Sequence, residues 1–167
     1  MAKKLYLNSA IKRLEYYKDL GDETFEQITE DDFNFFPAEE SNSIGIIIQH
    51  MHGNMLSRWT DFLTTDGEKE WRQRDAEFEK SGLIKMQLIH LWEEGWRCVF
   101  DALNDLKPKD LKKTITIRSE SLSVFDAINR QLAHYPYHVG QIIYVAKIIK
   151  NKNWKTLSIP KADLNAV

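Results

Sequence analysis

Four segments of this chain repeat apolar residues at three- and four-residue steps, the period of an α-helix buried along one face. Leu7, Ala10, Ile11, Leu14 and Tyr17 form the first stripe, and Gly21 follows where a left-handed residue stops a helix. Ser41, Asn42 and Ser43 offer N-caps for the second, which carries Ile44, Ile47, Ile48, Met51, Met55, Trp59 and Phe62 and should end near Thr64, before Asp66-Gly67. The third is expected over about Gly82 to Leu106, with Met86, Ile89, Trp96, Phe100 and Leu103 inward and Pro108 beyond its end. Ser123 caps the fourth, whose stripe runs Val124, Ile128, Leu132, Tyr135, Val139, Ile142, Ala146 and Ile149. Amphipathic helices of this length cover one another's apolar faces, so the pattern predicts an all-α four-helix bundle. Periodicity does not fix its connectivity.

Between the helices the signals are weaker. The segment from Asp22 to Pro37 mixes phenylalanines with acids, and Thr29 with Asp32 resembles a capping box, so one or two short helical turns are expected. The polar connection from Gly67 to Glu79 has Trp71 and Phe78 as its candidate anchors. Thr114-Ile-Thr-Ile117 alternates like a strand, Arg118-Ser119-Glu120 can turn, and Leu122 and Val124 can return, which gives a short β-hairpin before the last helix. The tail from Asn151, with Trp154, Leu157, Ile159 and Pro160, reads as an extended segment packed on the bundle.

One core serves chains of up to roughly 250 residues, so residues 1–167 are read as a single domain. The formal net charge of −2 leaves no basic surplus for phosphate backbones, which argues against nucleic acid as a partner. The apolar run Ile46-Ile47-Ile48 is far too short to span a membrane, for which roughly 20 residues are needed. Polar residues from Asn8 to Glu15 interrupt any signal-peptide core, and the expected location is cytoplasmic. Cys98 stands alone, so any metal must be held by His, Asp or Glu.

His134 and His138, four residues apart on the fourth helix, lie one turn apart on one face and can reach a single ion. They belong to a polar stripe of Arg130, His134, His138 and Gln141 beside the apolar one, and Pro136 between them removes a backbone donor and should bend the helix. Two half-buried polar side chains at the edge of a core are the plainer account of the pair. A third ligand can come from helix two, where His50 and His52 lie about 160° apart and both flank the apolar face. Helical geometry does not choose between them. His90 reads as a solvated or rim histidine.

His50-Met-His-Gly-Asn54, followed by His134-Tyr-Pro-Tyr-His138-Val-Gly-Gln141, resembles the metal motif of the DinB-like superfamily, which includes the bacillithiol S-transferases. The strings Gly53-Asn-Met-Leu-Ser-Arg-Trp-Thr-Asp-Phe-Leu-Thr-Thr-Asp-Gly-Glu-Lys69, Ile117-Arg-Ser-Glu120 and Leu157-Ser-Ile-Pro160 resemble one branch of it, and the likeness runs from helix two nearly to the end of the chain. This resemblance implies His50, His134 and His138 as ligands of one nickel or zinc ion, an up-down-down-up bundle, and a homodimer. It attaches no activity to the branch. At the level of the superfamily it favours a low-molecular-weight thiol attacking an electrophile, so a small-molecule thiol or electrophile is the expected substrate.

Three neutral imidazoles leave a divalent ion its full charge, which turns a bound thiol or water into its anion near neutral pH. A metal-dependent transferase or hydrolase with an open position is therefore one reading, and a non-enzymatic metal-binding or stress protein, its ion stapling helix two to helix four, is the other. The lack of a fourth ligand in the sequence favours the open site. A carboxylate-bridged di-iron bundle is set aside, because no histidine has Glu three residues before it. Arg58, Arg72 and Arg74 are read mainly as salt-bridge partners of nearby acids, with an anionic substrate as the other role. Asn54 and Asp61 are candidate acceptors for ligand imidazoles, Tyr137 and Tyr144 candidate pocket hydroxyls, and Cys98 a small buried hydrophobe.

Overall fold

The computed structural model describes residues 2–160. Helix α1 spans Ala2–Gln27, α2 Ile44–Trp59, α3 Lys85–Asp105 and α4 Val124–Lys150; strands β1 (Thr114–Ile117) and β2 (Glu120–Ser123) pair antiparallel just before α4. Ser43 and Ser123 cap α2 and α4, their hydroxyls accepting the backbone N–H of Ile46 and Asp126. Among the described residues no helix is long and apolar enough to cross a membrane.

Side-chain contacts give the direction of each helix. Tyr6 donates to Asn129 at 2.7 Å and Gln27 meets the backbone of Lys155, so α1 and α4 run parallel. Lys85 donates to the carbonyls of Phe25 and Ile28, and the Trp92 indole to Asp22 at 2.7 Å, so α3 runs against α1. Leu88 lies beside Gly45 and Met55 beside Gly95, which makes α2 parallel to α3. Trp59 donates to Tyr135 at 2.9 Å while His50 faces His138, which sets α2 against α4. The bundle is up-down-down-up. Parallel α2 and α3 require residues 60–84 to return along the bundle, and this crossover covers the seam between α2 and α4.

The core is closed by Trp92, Trp96, Tyr135, Leu14, Ile48 and Met51, each almost fully buried. Deleting an indole such as Trp92 leaves a cavity that costs about 3–5 kcal/mol. Gly21 does not stop α1. Its hydrogen admits the Trp92 ring, whose Cζ2 lies 2.4 Å from where a Cβ would stand, and the helix continues to bury Thr24 and Phe25. The buried face of α3 is Leu88, Trp92, Trp96, Val99 and Leu103, whereas Met86 is 72% exposed. Apolar residues nearly surround the start of this helix, so its period alone leaves the inward face ambiguous; Gly21 and Gly45, which receive Trp92 and Leu88, decide it.

Helix α2 ends at Trp59, before the expected Thr64, because Thr60 turns extended and Asp61 adopts a left-handed conformation whose carbonyl collects the N–H groups of Thr64 and Thr65. Phe62 still reaches the core from this turn. One 3₁₀ turn, Asp31–Asn34, lies between α1 and α2, and the Asp32 carboxylate accepts the Thr29 N–H as its spacing suggests. In the crossover Trp71 is exposed and anchors nothing; the Arg72 side chain is the buried one. The hairpin turns on Arg118 and Ser119, both left-handed, and the Asp66 carboxylate accepts both of their N–H groups at 2.9 Å. The tail makes a 3₁₀ turn at Asn151–Asn153 and packs Trp154 against the core, while Ile159 stays exposed.

Candidate metal centre

The antiparallel seam of α2 and α4 brings His50, His134 and His138 together, with one ring nitrogen from each within 4.8 Å of the others. His50 is 7% exposed; the other two are half-buried. Two of the three come from consecutive turns of α4, and Pro136 between them leaves the helix continuous. The third stands opposite because α2 descends past α4 at this level. His52, two residues on, points across to α3 and pairs with Glu94 at 2.8 Å, and His90 is exposed, so neither joins the cluster.

Each imidazole is held by its outer nitrogen. Nδ1 of His50 lies 3.0 Å from the Glu77 carboxylate, Nδ1 of His138 is 2.8 Å from the Gln141 carbonyl oxygen, and Nδ1 of His134 is 3.3 Å from that of Gln131. Gln141 donates its amide N–H to the Tyr137 hydroxyl, and this leaves the Gln141 carbonyl oxygen facing His138. An imidazole whose Nδ1 donates to such an acceptor keeps its Nε2 lone pair for a metal. Nε2 of His134 and His138 face each other at 3.0 Å. Two imidazole nitrogens on one tetrahedral ion, at about 2.0–2.1 Å each, stand about 3.3 Å apart. The donor set fits a divalent ion: three imidazoles with one ring nitrogen each converging and their other nitrogens tied to oxygens, the arrangement that orients ligand histidines.

Glu77 is itself fixed. Arg72 donates to its two oxygens at 2.7 and 2.8 Å, and Gly53 leaves it room, since a Cβ there would come 2.1 Å from Oε1. Burial works against the Glu77 charge, but Arg72 and His50 outweigh it and hold the carboxyl below its usual pKa. The Phe78 ring packs on His50 at 4.8 Å between centroids. Burial, followed by the repulsion of His138, His50, Arg130 and Arg58, pushes His134 down to about pKa 3. Burial also lowers His138, against the opposing bond from Gln141. The pair is therefore neutral, and available as donors, at ordinary pH.

The cluster opens on a cavity of about 470 Å³ lined by His50, His134, Asn54, Tyr137 and several arginines. The arginines singled out in the sequence do form salt bridges: Arg58 with Glu68, Arg72 with Glu77, Arg74 with Asp75. Asn54 accepts from the Tyr135 hydroxyl and not from a histidine, and Asp61 sits exposed in its turn. Tyr144 lies away from this cavity, and Cys98 is half-buried beside Thr60 with its thiol pKa raised by burial. The acceptors that hold the imidazoles include two that sequence reasoning missed. Gln131 had a signal, since it stands three residues from His134 as Gln141 does from His138, whereas Glu77 had none, because only the path of the crossover brings it to His50.

No curated protein matches this chain in sequence. A family profile matches residues 1–163, nearly the whole chain and all of the elements that build the centre, and on that match the chain belongs to the DUF1572 family, described as proteins of unknown function.

Proposed function

We propose that His50, His134 and His138 hold one divalent ion, nickel or zinc, with a position left open toward the adjacent cavity, and that the protein is a metal-dependent transferase using a low-molecular-weight thiol, or a hydrolase. The observation that carries the reading is the tethering of all three outer nitrogens, to Glu77, Gln131 and Gln141, while the inner nitrogens converge. The likeness of the histidine motif to the DinB-like superfamily supports it. A bound ion would supply Lewis acidity, lowering the pKa of a thiol or water on its open side. The chain's own residues would do the rest. Glu77, clamped by Arg72, holds the His50 ring and helps balance the charge; Gln131 and Gln141 keep His134 and His138 in the tautomer that offers Nε2. Phe78 screens His50 from water. Glu77 makes a poor fourth ligand because its oxygens are engaged by Arg72 and His50, which supports an open site over a closed, structural one.

The test is cobalt substitution in a Cys98→Ser background, which removes the one competing thiolate. Adding a small thiol at millimolar concentration should produce a sulfur-to-metal charge-transfer band. A spectrum indifferent to thiol, with cobalt bound and the melting temperature raised by it, would contradict the transferase reading and leave a structural ion.

A further inference from the structure

The wall of the cavity beside the histidines carries five guanidinium groups, from Arg58, Arg72, Arg74, Arg118 and Arg130. Their carboxylate partners are fewer. Glu68 alone serves three of them, at 3.0 Å from Arg58, 2.9 Å from Arg118 and 3.7 Å from Arg72. Glu77 takes the fork of Arg72 and also faces His50. Among the described residues the one carboxylate within ion-pair distance of Arg74 is that of Asp75, a side chain 97% exposed whose charge water screens, and the guanidinium also lies over the Phe78 ring at 5.3 Å. Among the described residues no carboxylate lies within ion-pair distance of Arg130; Asp126, one turn before it, is too far. The Asp66 carboxylate is turned away, onto the backbone N–H groups of Glu68, Arg118 and Ser119.

Positive charge is thus in excess inside a concave, partly desolvated wall, where like charges repel more strongly than in open water. The chain as a whole is at −2, so the excess is local to this cavity. Its volume, about 470 Å³, suits a small molecule. Arg58 and Arg72 are buried and committed to internal partners. Arg74, Arg118 and Arg130 reach the opening, and a guanidinium there presents a planar fork matched to oxyanions. We propose that this cavity binds the oxyanion group, carboxylate or phosphate, of a small-molecule substrate, gripped by Arg130 with Arg74 and Arg118. Calling that molecule the substrate rests on the metal reading above; the binding of the anion does not.

The test is calorimetry on the full chain at low salt, zinc-loaded and metal-free, with succinate, inorganic phosphate and the uncharged succinamide as probes. At least one anion should bind and the diamide should not, and the preferred anion tells carboxylate from phosphate. Arg130→Gln, at an exposed position where the fold should tolerate it, should weaken binding by about tenfold or more, as loss of a charge-assisted bond does, with an unchanged melting temperature. Arg74→Gln and Arg118→Gln should weaken it less. Failure of both anions to bind, equal binding by Arg130→Gln, or equal binding of the diamide would overturn the proposal. Anion binding that disappears with the metal yet ignores Arg130→Gln would place the anion on the ion, overturning this inference and sparing the metal reading. Anion binding that persists in a chain unable to take up zinc would do the reverse.

Discussion

Helix α2 faces two seams, and each offers a histidine, a carboxylate partner and a cavity. Toward α4, His50 meets Glu77 and opens on about 470 Å³; toward α3, His52 meets Glu94 beside the larger space of about 580 Å³ that Cys98 lines. Among the described residues, only the first gathers a cluster of three histidines. Its histidine is backed by two more from α4, and its carboxylate side chain is 11% exposed and locked by Arg72, whereas that of Glu94 is 38% exposed and holds His52 alone. The size of a cavity and the presence of a histidine–carboxylate pair do not make a metal centre. What distinguishes the two seams is convergence of donors from antiparallel helices under a crossover that fixes them.

The two seams should differ most in what loss of a histidine does. His50→Ala, His134→Ala and His138→Ala should each abolish stoichiometric metal binding, while His52→Ala and His90→Ala keep it; elemental analysis of the five proteins decides. Next comes the carboxylate. Glu77→Gln should lower metal affinity by about 10–100-fold, the usual cost of losing such a support, and Glu94→Gln should leave it unchanged, as competition with a chromophoric chelator would show. Two glycines sharpen the contrast further. Gly53→Ala places a methyl against the Glu77 carboxylate and should weaken metal binding, whereas Gly95→Ala meets the Met55 sulfur at 2.8 Å and should cost about 1–3 kcal/mol of stability with metal affinity intact.

The smallest effect is on pH. His134 is held at about pKa 3 in the folded chain, below its unfolded value near 6.5, so the unfolded state binds the proton first. The metal-free protein should therefore lose stability as pH falls from about 6.5 toward 3, and the slope should be shallower in His134→Ala. Urea midpoints at pH 7.5 and 5.0 measure it. Equal slopes in the two proteins would contradict the burial of a neutral His134.

Much of this arrangement is legible in the sequence, for reasons that differ by element. The four stripes and the serine caps of α2 and α4 are local, so they read directly. Gly21 misleads because a glycine that ends a helix and one that admits an indole look the same until Trp92 is placed across from it. On α3 the apolar residues at 86, 88, 89 and 92 permit two inward faces, and the partners on α1 and α2 choose. Within the centre, the spacing of His134 and His138 is a helical fact, and the resemblance picks His50 over His52. The support for the site is less visible. Gln131 and Gln141 repeat the three-residue spacing of their histidines, but Arg72 and Glu77 lie in a stretch without periodicity, where the return path between parallel helices determines what they touch.

On the reading proposed above, three imidazoles and no other side chain hold one ion. X-ray absorption at the zinc edge, on protein loaded with one equivalent, tests it most directly. Three imidazole nitrogens at about 2.0–2.1 Å with one further light atom from solvent are expected, with the imidazole scattering reduced in His134→Ala. A shell containing sulfur, a carboxylate in place of an imidazole, or zinc that fails to bind at one equivalent would contradict it.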